Sequence, residues 1–259
     1  MKDPTLGLQV AESGLTNYPD QFDLLADRAK CLVSLGRVDE AQGVLSDLEK
    51  HKPAEFYRSW RPIVFYCQAI QAGGLTKDNV AKMLALFDVA VERQAHEIKI
   101  WGEYAIFLER LGRSSDAEAV YRKGVTHNPY SQQLNYSLGD MLLRGGRAKE
   151  AVALLEKALA CDYQDSYQHD VAQDAVRTSL AEAYEASGEL EKAAALYKLN
   201  LDLAKTGEIR AHVLEYSRNR LIALASVKAL EGASPIDIEE SIESRHVAEG
   251  SQGSNPTAE

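Results

Sequence analysis

The sequence predicts an all-α protein, an α-solenoid of stacked helical hairpins, and three observations lead there. First, four glycines anchor a recurring pattern. Gly36, Gly112, Gly146 and Gly188 are each followed five residues later by Ala41, Ala117, Ala151 or Ala193, and nine later by Leu45, Tyr121, Leu155 or Tyr197. Second, the residues before each glycine recur too: Ala29, Ala105, Gly139 or Ala181 seven before, and Leu32, Leu108, Leu142 or Tyr184 four before. Third, the chain of 259 residues is 45% hydrophobic and 26% charged, the composition of an ordinary folded protein.

The offsets read as a helix, a turn and a second helix in each unit. Apolar and small residues before each glycine lie at helical spacing and make one amphipathic face. The glycine ends that helix, because it adopts a left-handed backbone at little cost. Small residues then let the second helix approach the first closely, and larger ones fill the remaining space. Each unit is a hairpin of about 34 residues.

Taken in order, residues 3–19 resemble a second helix without its first, either a half-repeat cap or a cut from something longer. Hairpins are expected at about 22–55, 98–131, 132–165 and 174–206. Residues 56–96 form an irregular copy anchored on Gly74, with Ile63, Tyr66, Cys67 and Ile70 on its first helix. A four-residue insertion brings Phe87 and Ala90 into frame, and the second helix starts at Thr76. Residues 208–230, with Ile209, Val213, Tyr216, Leu221, Leu224 and Val227, read as a capping helix over the last apolar face, completing a solenoid over 1–230. Residues 231–259 hold seven acids and one arginine, a net −6, and are expected to be a flexible, disordered acidic tail. Within it, Ser234, Pro235 and Asp237 suggest the start of a short docking helix carrying Ile238 and Ile242. The eight residues Ser166–Gln173 are an insertion that would lengthen the next helix by about two turns.

At this point the units resemble tetratricopeptide repeats. Ile98 to Pro129 carries Trp101, Tyr104, Ala105, Leu108, Gly112, Ala117, Tyr121 and the closing Pro129. Phe22 to Pro53 is a second good copy. Two later units depart where Asn135 and Arg177 stand at the large position of the first helix, and Gly124 and Asn200 replace a small alanine of the second. The resemblance implies a right-handed superhelix whose first helices line a concave groove. It places Asp23, Ala26, Lys30, Val33 and Ser34 there, then Arg61, Val64, Gln68, Gln71 and Ala72. Lys99, Gly102, Ile106, Glu109 and Arg110 follow, then Gln133, Tyr136, Asp140, Leu143 and Arg144. Ala175, Thr178, Glu182, Glu185 and Ala186 close the row. The strongest candidates for partner binding are Lys30, Lys99, Ile106, Arg110, Tyr136, Asp140, Leu143, Arg144 and Glu182. Cations beside apolar side chains suit an acidic–hydrophobic peptide. Neither of two specialised peptide-receptor patterns fits. Lys30 stands where a carboxylate clamp has asparagine, and Asp27, Glu103, Ser137 and Ser179 stand where an asparagine ladder would run.

Composition narrows the function further. Lys and Arg number 29 against 39 Asp and Glu, so the net charge is −10 and no broad basic footprint meets a phosphate backbone. Three scattered cysteines make no disulfide framework. No apolar run approaches the roughly 20 residues of a membrane span, and MKDPTLGLQV lacks the apolar core of an export signal, so a cytoplasmic setting is expected. No phosphate loop, nucleophile elbow or zinc-protease motif occurs. His212 with Glu215, and His246 with Glu249, share helix faces, but two ligands do not make a metal site. Phe56, Tyr57, Trp60, Phe65 and Tyr66, five of nineteen aromatics, stand among Arg58 and Arg61. They read either as a binding hot spot or as packing of the irregular hairpin.

The expectation is a non-catalytic scaffold or adaptor with no cofactor and no metal, binding a protein or peptide rather than nucleic acid or membrane. The alternatives are an accessory region of a larger enzyme, such as a glycosyltransferase, and a half-a-TPR-like RNA-processing scaffold.

Overall fold

The computed structural model describes residues 3–161, 172–205 and 209–230. Among these the regular structure is thirteen helices with no strand. The chain divides into two compact units, 1–137 and 138–259.

The first unit opens with α1 (Pro4–Asn17), whose start is capped by Asp3 accepting from the N–H groups of Thr5 and Leu6. Three hairpins follow: α2 (Phe22–Ser34) with α3 (Val38–His51), α5 (Trp60–Ala72) with α6 (Lys77–Arg93), and α7 (Ile98–Arg110) with α8 (Ser114–His127). The single turn α4 (Pro53–Phe56) lies between the first two hairpins. The division between units falls within α9 (Gln132–Arg144). The second unit continues with α10 (Ala148–Ala160), the hairpin α11 (Gln173–Ser187) and α12 (Leu190–Ala204), and α13 (Ala211–Leu230).

The turns are built as the glycines require. Gly36, Gly112, Gly146 and Gly188 have φ of 73°, 72°, 76° and 88°. In each, the next residue's N–H reaches back five residues, as Arg37 to Leu32 O at 2.9 Å and Arg113 to Leu108 O at 2.9 Å. This closure satisfies carbonyls that a helix end otherwise leaves open. The first turn of the second helix is then clipped by an ion pair three residues apart in Arg37–Glu40, Arg113–Asp116 and Arg147–Glu150.

Packing follows the repeat. The small positions Ala29, Ala105 and Ala181 are fully buried, as are Ala41, Ala117, Ala151 and Ala193 on the second helices. Where glycine stands instead, the space is already filled. A Cβ at Gly139 would lie 2.7 Å from Leu155 Cγ, and one at Gly124 would lie 3.0 Å from Trp101. In the irregular hairpin Thr76 caps α6 by accepting from Asn79 N–H, and Phe87 and Ala90 are buried. Gly74, with φ of 105°, makes the turn after α5.

The aromatic group around Phe56 is packing. Phe56 is fully buried and meets Tyr57 and Tyr66 edge-on at 5.1 and 6.2 Å. Tyr57 donates to Glu49 at 2.9 Å beneath the Arg93 guanidinium, and Lys82 Nζ donates to Tyr66 at 2.6 Å. These polar ties join α3, α4, α5 and α6.

α1 differs from the other second helices on one side. Val10 matches Val44, Val120, Leu154 and Leu196 in the repeat, each half-buried. Val10 is 61% exposed and Leu6 57%. The expected disordered tail, the docking helix at 234–242, His246 and Glu249 lie outside the described residues, as does most of the expected insertion, 166–171.

Candidate partner-binding faces

In the first unit the first helices α2, α5 and α7 are tied to each other along one exposed face. Arg61 of α5 reaches Asp27 of α2 at 3.0 Å. Arg110 of α7 donates to Gln71 of α5 at 3.3 Å. Lys30 of α2 lies 5.8 Å from the Phe65 ring of α5. Ile106, on α7, is 37% exposed, and Lys99 on the same helix pairs with Glu103 at 3.7 Å. Side chains that bridge successive first helices therefore leave water-facing cations beside an exposed apolar side chain. Tyr136, on the part of α9 in this unit, is half-buried.

Ala26, Val64 and Gly102, expected on the groove, are buried in the core. Charge is balanced rather than basic here, because Asp27 and Glu103 accompany Arg61 and Lys99.

In the second unit Asp140 and Arg144 of α9 pair at 2.9 Å, and Leu143 is half-buried. Glu182 on α11 faces the Tyr216 hydroxyl of α13. Burial, then the Glu182 carboxylate, push the Tyr216 hydroxyl up to about 12. Glu185 is likewise held by Arg220 of α13. The last two candidate acids thus lie under α13.

Sequence reading missed the polar seam beneath α13. Asn200 is fully buried, accepts from Arg177 at 2.8 Å and donates to the buried Ser217 at 3.2 Å. Asp174, also buried, takes three hydrogen bonds from Arg210. Burial alone would raise the Asp174 carboxyl. The Arg210 hydrogen bonds and charge outweigh it and hold the group below the usual aspartate range. Arg177 and Asn200 were visible in the sequence as departures from the repeat, and that was the available signal.

Cys67 is buried among apolar groups and its thiol is pushed far up by burial, then by Glu103 and Glu49, which leaves it inert. Among the described residues no group of three His, Cys, Asp or Glu is placed to hold a metal ion. No helix among them is long and apolar enough to cross a membrane.

Family models described as tetratricopeptide repeat match residues 105–166 and 177–211. No curated protein compared with the chain matches it. Several solved structures share the fold. A thermophilic TPR protein of Thermus thermophilus is 19% identical at a TM-score of 0.50, covering 69% of this chain and 89% of that one. A MamA protein is 15% identical at 0.53, covering 71% and 93%. YrrB, a TPR protein described as having an unusual peptide-binding site, is 11% identical at 0.52, covering 81% and 97%. With its hairpin helices, its left-handed glycine turns and these two matches, the chain carries tetratricopeptide repeats.

Proposed function

We propose that this chain is a non-catalytic scaffold or adaptor in the cytoplasm, holding a peptide or protein partner against the exposed faces of its first helices. The observation that carries the reading is the bridged face of α2, α5 and α7, which bears Lys30, Lys99 and Arg110 together with the exposed Ile106. A partner that offers carboxylates beside an apolar side chain meets both features at once. In the second unit Asp140, Leu143 and Arg144 offer the same chemistry on α9. YrrB's described peptide-binding site gives the reading a precedent within the fold. Cys31, Cys67 and Cys161, which form no disulfide, suit a reducing compartment.

The test is affinity purification with the intact chain and with Arg110→Glu plus Arg144→Glu. Both side chains are exposed, so the fold is expected to survive, with an unchanged melting curve and circular dichroism spectrum. The principal partner captured by the native chain should be lost. Undiminished capture by the folded double variant moves the binding surface elsewhere.

A further inference from the structure

α13 is held differently from the other helices. α7 sits against α6 through rings: Phe87 stacks on Tyr104 at 5.1 Å and lies 5.9 Å from Phe107. α13 is met by a run of polar groups as well as apolar ones. Arg210, just before its first turn, gives Asp174 bonds of 2.8, 2.8 and 3.3 Å. Arg220 reaches Glu185 through Nε at 3.1 Å and Nη2 at 2.5 Å. The Tyr216 hydroxyl faces the Glu182 carboxylate, and Ser217 accepts from Asn200. Val213, Leu224 and the Tyr197–Tyr216 ring contact at 6.2 Å supply the apolar part. Leu214 and Leu221, both half-buried, extend this apolar side, and Ile222 is exposed.

The seam is also incompletely satisfied. Tyr197 Oη and Glu185 Oε1 are buried without a hydrogen-bond partner, and each such atom weakens the docked state. The side chains of Arg210 and Arg220 remain 49% and 41% exposed, so dissolved salt reaches both ion pairs.

We propose that α13 is a charge-latched cap that undocks as a unit, and that the acidic strip it covers on α11 is a docking face for an arginine-bearing helix. The strip is Asp174, Glu182 and Glu185, and the resident occupant shows what the face selects, two arginines ten residues apart. Undocking returns those carboxylates to water instead of leaving them buried and unpaired. The cap therefore opens at lower cost than a helix held by apolar burial, in the manner of local unfolding. The proposal does not depend on the face formed by α2, α5 and α7.

Amide hydrogen exchange on the intact chain tests it, at about 50 mM and about 500 mM sodium chloride. Protection of α13 should be lower than that of α11 and α12, and should fall several-fold in the higher salt while theirs holds. Arg210→Glu with Arg220→Glu should produce the same loss in low salt. A labelled peptide of residues 209–230 should bind that full-length variant, whose strip is vacated, roughly tenfold more tightly than the native chain, whose own cap competes. Exchange of α13 in one salt-independent step with α11 and α12 overturns the latch. If the variant loses protection throughout the second unit, the salt comparison on the unaltered chain still decides. A peptide that binds neither protein, while α13 opens alone, overturns the docking face.

Discussion

Among the described glycines, Gly139 makes the closest approach to a neighbouring helix. A side chain at Gly139 meets the branch point of Leu155, which has no free end to swing away. Gly139→Val is expected to cost about 1–3 kcal/mol through overpacking, read as a lowered urea midpoint with an unchanged slope. Arg177 and Asn200 look like two separate faults in the repeat, yet each supplies the other's partner 23 residues away. Replacing Asn200 by alanine, the residue the family pattern favours, should destabilise the chain, because it strips Arg177 and Ser217 of a hydrogen bond. A double-mutant cycle with Arg177→Leu should return a coupling of roughly 0.5–3 kcal/mol. A coupling near zero would mean that the two side chains act independently. This pairing was illegible beforehand, because it depends on how two helices cross and not on any offset along one of them.

At the scale of the helix, the turns were legible and the seams between helices were not. A glycine with φ near 75° leaves its mark at a fixed position, and all four anchors lie where helices end. Thr76 likewise announced α6 by its capping chemistry. The aromatic cluster allowed two readings, and burial of Phe56 decided for packing. Ala26, Val64 and Gly102 were assigned to a groove because a repeat offset fixes direction only to within one residue's turn, about 100°. Asp174 makes the seam of α13 sensitive to acid. Its carboxyl is held below the ordinary value by Arg210, so the stability it confers is complete above about pH 4 and drains as pH falls through the depressed native value. Urea midpoints measured from pH 6 down to pH 3 should fall less steeply for Asp174→Asn than for the native chain. Equal slopes would show that the Arg210 contact contributes nothing to folding.

At the scale of the molecule, the fold was legible because a repeat states the same instruction several times. The binding face is harder to read, because exposed residues answer to a partner that is not written in the chain. If the face of α2, α5 and α7 takes an acidic–hydrophobic peptide, capture should weaken with added salt without vanishing, since Ile106 contributes contact that ions do not screen. The bare side of α1 has a separate consequence. Leu6 and Val10, one helical turn apart, give the protein a greasy spot that water tolerates poorly. Attraction through that spot is expected to work against the repulsion between these acidic molecules and to lower the concentration at which a solution stays clear.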